Sequence, residues 1–320
     1  MSGGIQYKVR VAEAEAVTPT IRRLRLVAID GTTLPPYSAG SHTVLSFGRD
    51  GRLFRNPYSL LGTTLAGGAY EIAVLRAPES RGGSAFVHEA IEIGTELAAS
   101  APVNLFPLNH RARKHLLIAG GVGITAISAM AAELARTSQA FELHYAMRDE
   151  AHGAFAAELA QRHGDKVKLY RSRLEERIAL RDILEHQPLG THLYVCGPER
   201  MIDGVLADAR AAGWPENSLH CERFLAPAGG APFAIRLARS GISAEVGEHQ
   251  TLLEAIEATG VDAPYLCRGG ACGQCETKVL AADGTLLHHD HYLSPAEKAG
   301  GQKIMTCVSR LAGRELVLDL

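Results

Sequence analysis

In YKVRV, near the start of the chain, Tyr7, Val9 and Val11 are separated by Lys8 and Arg10. This period of two puts the apolar side chains on one face of a strand. TIRRLRLV reads as a second strand and YEIAVLR, from Tyr70, as a later one, with Pro35-Pro36, Gly48 and Gly67-Gly68 as turn signals between them. No long helical period interrupts before Ala85, so this part predicts a small antiparallel barrel or sandwich. From His115 the pattern changes. HLLIA is a short apolar run, Ile124 to Arg136 is Ala-rich and helical, and FELHYAM is a second strand. A helix over Ala151 to Arg162, a strand at KVKLY, a fourth at THLYVC and a helical stretch from Pro198 to Ala212 follow. Such alternation predicts a parallel sheet with helices on its faces, wound right-handedly. FLAPAGGAP, Phe224 to Pro232, has no periodicity and reads as a linker. Beyond it Phe233, Ile235 and Leu237 share one face, Ile242 to Val246 returns antiparallel, and Thr251 to Thr259 is a short helix carrying Leu252, Leu253 and Ile256. Short strands then surround a group of cysteines, the layout of a small α+β unit.

The expected organisation is therefore multidomain: an antiparallel β-barrel over 1–108, an α/β parallel-sheet domain over 109–225, a linker at 226–232 and an α+β domain over 233–320. At about 150 residues per domain, the length of 320 suggests two units and does not exclude three. Apolar residues make up 46% and charged residues 21%, ordinary globular proportions that argue against disorder. Thirty-three Lys and Arg against 35 Asp and Glu leave a formal charge of −2, so no basic excess invites a nucleic-acid backbone. MSGGIQYKVRVAEAE lacks the apolar core of a signal peptide, and a cytoplasmic location is expected. The uncharged run Leu116 to Ala132 nears the length of a bilayer span, but Gly120, Gly121 and Gly123 break it, and no membrane insertion is expected.

Four of the six cysteines lie in the last fifth of the chain. Cys267, Cys272 and Cys275 have the spacing C-x4-C-x2-C in CRGGACGQC, and Cys307 follows in MTCVSR. This is the plant-type spacing for four thiolates on a 2Fe-2S cluster. A zinc site more often pairs C-x2-C with a second such pair or with histidines. The glycines of the loop let backbone N–H groups approach the sulfides.

A second signal is LLIAGGVGITAISAM, where a strand runs into Gly120, Gly121 and Gly123 and a helix begins near Thr125, whose hydroxyl is placed to cap it. Taken alone this is a tight turn. It lacks the G-x-G-x-x-G fingerprint, but it presents N–H groups at a helix start. Cys196, Gly197 and Pro198 of VCGPERM fall beyond the C-terminus of another strand, where open α/β sheets bind ligands. The bland alternative for Cys196 is a small buried apolar residue. A third signal lies in the barrel. FRNPYSL offers Arg55, Tyr58 and Ser59, and SRGGSAFVH offers Arg81, Gly82, Gly83 and Ser84 before a short helix, the makings of a phosphate cradle or of two plain turns.

Read in order, RNPYSL, SRGGS, GGVGIT, CGP, ERF (Glu222 to Phe224) and CRGGACGQC resemble the phthalate dioxygenase reductase family, flavin and iron–sulfur reductases of Rieske-type oxygenase systems. The resemblance spans nearly the whole chain. It implies an FMN barrel, an NAD domain and a C-terminal 2Fe-2S ferredoxin domain of β-grasp type. It implies isoalloxazine contacts from Arg55, Tyr58 and Ser59, an FMN phosphate at Arg81 to Ser84, Thr125 and Cys196 near the nicotinamide, and Glu222 and Phe224 closing the flavin side. Asn56 and Pro57 stand between Arg55 and Tyr58 where the family has one residue, so Arg52 is an alternative to Arg55. The resemblance implies NADH rather than NADPH, with Asp149 and Glu150 placed to meet ribose hydroxyls and repel a 2′-phosphate, while Arg148, Arg171, Ser172 and Arg173 stand as the alternative, a site for that phosphate. The cofactors expected are thus FMN, NADH and the cluster.

The expected activity follows from electron counting. Nicotinamide gives up two electrons as hydride while an iron–sulfur centre takes one at a time, so a flavin must stand between them. The chain reads as an NADH-dependent reductase for a Rieske-type terminal oxygenase, monomeric itself. The alternatives are a reductase for a cytochrome or other iron protein, or a nucleotide-responsive sensor with a structural metal.

Overall fold

The computed structural model describes residues 5–49, 52–62, 68–78, 81–225 and 229–320. The first sheet holds β1 (Gln6–Thr18), β2 (Ile21–Ala28), β3 (Ser41–Arg49), β4 (Arg52–Ser59), β5 (Ala69–Leu75), β6 (Glu96–Ser100) and β7 (Val103–Asn104), with the short helix α1 (Gly83–Glu89) between β5 and β6. The order is β4-β3-β6-β1-β2-β5, and a Leu60–Ile72 bridge joins the two ends into a barrel. Alternation does what the sequence requires: Val9, Val11, Leu24, Leu26, Leu45 and Ile72 are fully buried in one core. Pro57, which has no N–H to give to a ladder, sits in β4 at the end of the path.

The second sheet is all parallel: β8 (Lys114–Gly120), β9 (Phe141–Met147), β10 (Val167–Arg171), β11 (Thr191–Cys196) and β12 (Leu219–Glu222), in the order β10-β9-β8-β11-β12. The helices α2 (Ile124–Arg136), α3 (Ala156–His163), α4 (Leu180–Glu185) and α5 (Glu199–Ala211) alternate with the strands. The strand order reverses between β8 and β11, which places the turns after those two strands side by side. The uncharged run at 116–132 is divided between β8 and α2, and among the described residues no helix is long and apolar enough to cross a membrane.

Two expectations need correction here. The helix read from Ala151 begins only at Ala156, because Asp149 caps a separate 3-10 turn at 150–152 and Phe155 adopts a left-handed backbone (φ 59°). The strand β12 went unread: its four residues, LHCE, lie at the sheet edge and carry no apolar run.

The third unit contains β13 (Phe233–Leu237), β14 (Ile242–Val246), α6 (Leu252–Ala258), β15 (Glu276–Ala282), β16 (Thr285–Leu287), α7 (Pro295–Gly300), β17 (Lys303–Met305), β18 (Arg310–Ala312) and β19 (Glu315–Leu318). Its main sheet runs β14-β13-β19-β15-β17, with β13 and β19 parallel, and β16 pairs with β18. Thr251 and Glu254 form a reciprocal capping box at the start of α6, which satisfies two backbone N–H groups.

Candidate functional site

The loop between α6 and β15 carries three of the cysteines. Cys267, Cys275 and Cys307 are buried and Cys272 is partly so, and none of them is in a disulfide. They come as two pairs: Cys275 Sγ lies 3.2 Å from Cys307 Sγ, and Cys272 hydrogen-bonds Cys267. That bond, helped by the N–H groups of Gly269, Ala271 and Cys272, lowers the Cys267 thiol against the opposing effect of burial. Partnership with Cys275 and burial push Cys307 up. The loop needs its glycines. Gly270 and Gly273 have φ of 72° and 77°, and a Cβ on Gly273 would run into the Tyr292 ring, 2.7 Å from Cε1. Buried Asp290 accepts the N–H groups of Tyr292 and Leu293 at 3.2 and 2.8 Å, which fixes the segment carrying that ring. Among the described residues no three His, Cys, Asp or Glu side chains are disposed around a single ion. Two thiol pairs fit two irons with two thiolates each.

Beside this loop lies a cavity of about 580 Å³ whose wall comes from all three units. The barrel contributes His42, Asn56, Pro57, Tyr58, Ser59, Arg81, Gly83 and Ser84. The parallel-sheet unit contributes Val122 and Thr125, then Cys221 to Phe224 and Leu225, and the cysteine loop Cys267, Gly269 and Ala271. Among the described residues, three buried polar atoms on side chains of this lining have no hydrogen-bond partner: His42 Nε2, Ser59 Oγ and Glu222 Oε2. Orphaned polar atoms in a largely apolar cavity are the signature of a site built for a ligand with complementary edges, and a planar flavin or nicotinamide ring has such edges. Desolvation raises the Glu222 carboxyl to about 8: the residue as a whole is half-buried, but Oε2 is shut off from solvent. Burial also lowers His42 to about 4, so the ring is neutral at physiological pH. His42 was missed by sequence reasoning, and a lone histidine in an apolar strand carries no signal that would have found it. Phe224, 44% exposed, overhangs the cavity, and the preceding Arg223 is anchored to Asp203 of α5 at 2.5 Å.

The turns after β8 and β11 are pressed together. A Cβ on Gly123 would strike the Cys196 carbonyl and lie 2.7 Å from Gly197 N, and one on Gly120 would lie 2.8 Å from Pro198 Cδ. Cys196 itself is fully buried behind the turn, its thiol raised by desolvation. Gly121 has φ 52°. Thr125 does not cap α2: Gly123 is the cap residue, and the Thr125 hydroxyl donates instead to Val122 O at 2.9 Å. Asp149 lies past the end of β9, where it accepts from His152 (Nδ1, 2.6 Å) and pairs with Arg173 at 2.7 Å.

The two barrel arginines behave differently from the simple expectation. Arg55 is not part of the cavity wall and pairs with Glu257 of α6 at 3.1 Å. Arg81 does line the cavity, but its Nη1 also reaches Glu254 at 2.7 Å and the His249 carbonyl at 2.9 Å. Gly82 takes φ 101° just before α1, and Ser84 Oγ accepts from Ala77 N at 3.2 Å. The alternative, Arg52, falls in β4, and its side chain lies outside the described residues.

Fold and cavity together define an oxidoreductase with a flavin barrel, a pyridine-nucleotide domain and a 2Fe-2S ferredoxin domain. The signature of the 2Fe-2S iron-sulfur cluster binding domain matches residues 235–312, and that of the dimethylamine monooxygenase subunit DmmA-like N-terminal domain matches 99–219. The chain is 44% identical over 312 residues to the heme-dependent oxidative N-demethylase beta subunit of Ectopseudomonas mendocina (strain ymp), covering 98% of each. It is 38% identical over 320 residues to the vanillate O-demethylase oxidoreductase of Pseudomonas sp. (strain HR199 / DSM 7063), covering 98% of this chain and 99% of that one. The solved structure of phthalate dioxygenase reductase, described as modular for electron transfer from pyridine nucleotides to 2Fe-2S, superposes with a TM-score of 0.89 at 32% identity over 99% and 98% of the two chains. The chain belongs to the phthalate dioxygenase reductase-like family, the electron-transferring reductase components of oxygenase systems.

Proposed function

We propose that this reductase takes hydride from NADH onto FMN and passes electrons singly through the 2Fe-2S cluster to a Rieske-type terminal oxygenase in the reducing cytoplasm. The observation that carries the reading is the three-walled cavity. Flavin-barrel, nucleotide-domain and cluster-loop residues share one space of about 580 Å³, as transfer among three cofactors requires. A bound flavin supplies the step from paired to single electrons.

In this reading the units 1–108, 109–225 and 233–320 are the three domains. Tyr58, Ser59 and His42 hold the ring, and Arg81 with Gly82, Gly83 and Ser84 receives a terminal phosphate, which favours FMN over FAD. Glu222, protonated below about 8, donates a hydrogen bond at the nicotinamide side while Phe224 excludes water. Gly120, Gly121, Gly123, Thr125, Cys196, Gly197 and Pro198 form the nucleotide turn. Cys267, Cys272, Cys275 and Cys307 ligate the cluster. NADH is favoured because the carboxylates of Asp149 and Glu150, just past the end of β9, repel a 2′-phosphate; of the nearby arginines, Arg173 pairs with Asp149 at 2.7 Å and Arg171 with Glu150 and Glu176 at 2.9 and 3.0 Å, while Arg148 is exposed.

The test is a spectrum of the purified protein, with flavin and iron–sulfur bands that bleach on NADH addition, followed by chromatography of the heat-released flavin. FAD as the sole species overturns the FMN assignment, and higher kcat/KM with NADPH overturns the nucleotide assignment. A second reading, a heme-iron oxygenase as the acceptor, is favoured by the 44% identity to a subunit of a heme-dependent demethylase. Reconstitution with terminal components of each kind separates the two.

A further inference from the structure

The third unit keeps its apolar core to itself, yet it touches the barrel through charges. Among the described residues, its buried cluster draws only on Phe233 to Leu318. Across the contact, Glu254 and Glu257, three apart and so on one face of α6, each hold one barrel arginine. Glu257 does more than pair. Its Oε2 accepts from Arg55 of β4 at 3.1 Å, and its Oε1 accepts from Arg268, the residue that follows Cys267.

Arg268 is held firmly. Its side chain is 4% exposed, its backbone is left-handed (φ 51°), and its guanidinium lies 3.9 Å over the Tyr265 ring. A bulky residue in that conformation persists only where its surroundings over-determine it. The Arg55 and Glu257 side chains are 27% and 17% exposed, so solvent screens the pair less than a surface ion pair. The neighbouring strand residue, Pro57, lines the same cavity as Cys267 and Gly269.

The geometry points to Glu257 as a positioning residue for electron exit: one carboxylate grips the cysteine loop with one oxygen and the flavin-barrel strand with the other, and so fixes the distance between the two redox sites. The inference rests on the transfer route proposed above. It predicts that breaking the bridge slows passage from flavin to cluster without slowing passage from NADH to flavin.

The experiment uses Glu257→Gln and Arg55→Gln holoenzymes with confirmed iron and flavin content. Stopped-flow absorbance follows flavin reduction by NADH, and freeze-quench EPR follows the cluster. Flavin reduction should keep the wild-type rate while cluster reduction slows roughly tenfold or more, as expected for a misplaced reacting pair. The double variant should be no slower than Glu257→Gln alone, since Arg55→Gln removes only the Arg55–Glu257 contact that Glu257→Gln already lacks. Small-angle scattering should report a larger radius of gyration for both variants. Glu257→Gln leaves Arg268 without its carboxylate, so Arg55→Gln, which leaves the Arg268–Glu257 pair in place, carries the test if that variant loses its cluster. Wild-type cluster-reduction rates and unchanged scattering in both variants would overturn the proposal. So would flavin loss from Arg55→Gln beside a kinetically normal Glu257→Gln, which would return Arg55 to the cofactor. A wild-type cluster that NADH fails to reduce would instead defeat the functional reading, and scattering would still decide the bridge.

Discussion

The barrel meets the parallel-sheet unit through a shared apolar core and meets the ferredoxin unit largely through charged side chains. Ile21, Ala39, Ala73, Phe106 and Leu108 from the barrel side are buried in one cluster with Leu117, Ile127, Met130 and Leu143 from the other. At the second contact Arg55 and Arg81 face Glu257 and Glu254. Apolar burial is non-directional and spread over many side chains, whereas a contact made by charges is directional and concentrated in a few pairs, so a single substitution can remove it. The difference teaches that the hydride side is built as one rigid body and the electron exit as a module docked onto it. That suits a reductase whose cluster must serve the flavin and then an outside partner.

The sharpest way to break this comparison is to disable the exit alone. Cys272→Ser replaces a soft thiolate by a hydroxyl that binds iron poorly, so the cluster should be lost. The flavin sits in another folding unit and should remain. NADH-dependent ferricyanide reduction should then persist while reduction of cytochrome c or of the oxygenase falls to background. If ferricyanide reduction vanished with flavin still bound, the route from nicotinamide to flavin to cluster would be wrong. Unchanged iron content would remove Cys272 from the ligand set.

The same contrast explains what could be read from the chain alone. FELHYAM, THLYVC and Ile124 to Arg136 fall on β9, β11 and α2 because buried parallel strands and an Ala-rich amphipathic helix announce themselves locally. The cysteines were legible for the same reason, three of them lying within nine residues. The arginines were not. Arg55 and Glu257 are 202 positions apart and Arg81 and Glu254 are 173, so nothing near either arginine in sequence reveals that a carboxylate already holds it. Turn chemistry fixed where Arg81 and Ser84 lie, and only the docked third unit determined what Arg81 touches.

The rigid half can be tested at the contact between its two turns. Gly123→Ala places a methyl group against the Cys196 carbonyl and Gly197 N, backbone atoms that cannot swing aside. Overpacking of this kind costs about 1–3 kcal/mol. The melting temperature should fall, and KM for NADH should rise roughly tenfold, about 1.4 kcal/mol, while the iron content stays unchanged. An unchanged KM would place the nucleotide elsewhere than on this turn.

A smaller effect concerns Glu222, where the folded chain holds its proton up to about 8 against an ordinary value of 4.5. Between those limits the folded state binds more protons than the unfolded one, so this group makes stability decline as pH rises from about 4.5 to about 8. Glu222→Gln cannot titrate and should melt with a shallower decline across that window in the flavin-free protein. A slope equal to wild type would mean that the carboxyl is ionised in the fold.

The smallest expected change is at Ser84, and it distinguishes a cofactor contact from a turn contact. The hydroxyl oxygen already accepts from Ala77 N at 3.2 Å, so part of its role is to hold the segment before Arg81. If it also donates to the flavin phosphate, Ser84→Ala loses one hydrogen bond to a charged group, and flavin should dissociate more readily by about 1–2 kcal/mol, roughly tenfold in Kd. Titration of the flavin-free variant with FMN measures this, and riboflavin, which lacks the phosphate, serves as the control. Weakened FMN binding with riboflavin binding unchanged assigns the hydroxyl to the phosphate. Equal losses for both would assign it to the turn, and the phosphate would then depend on Arg81 and the backbone N–H groups at Gly82 and Gly83 alone.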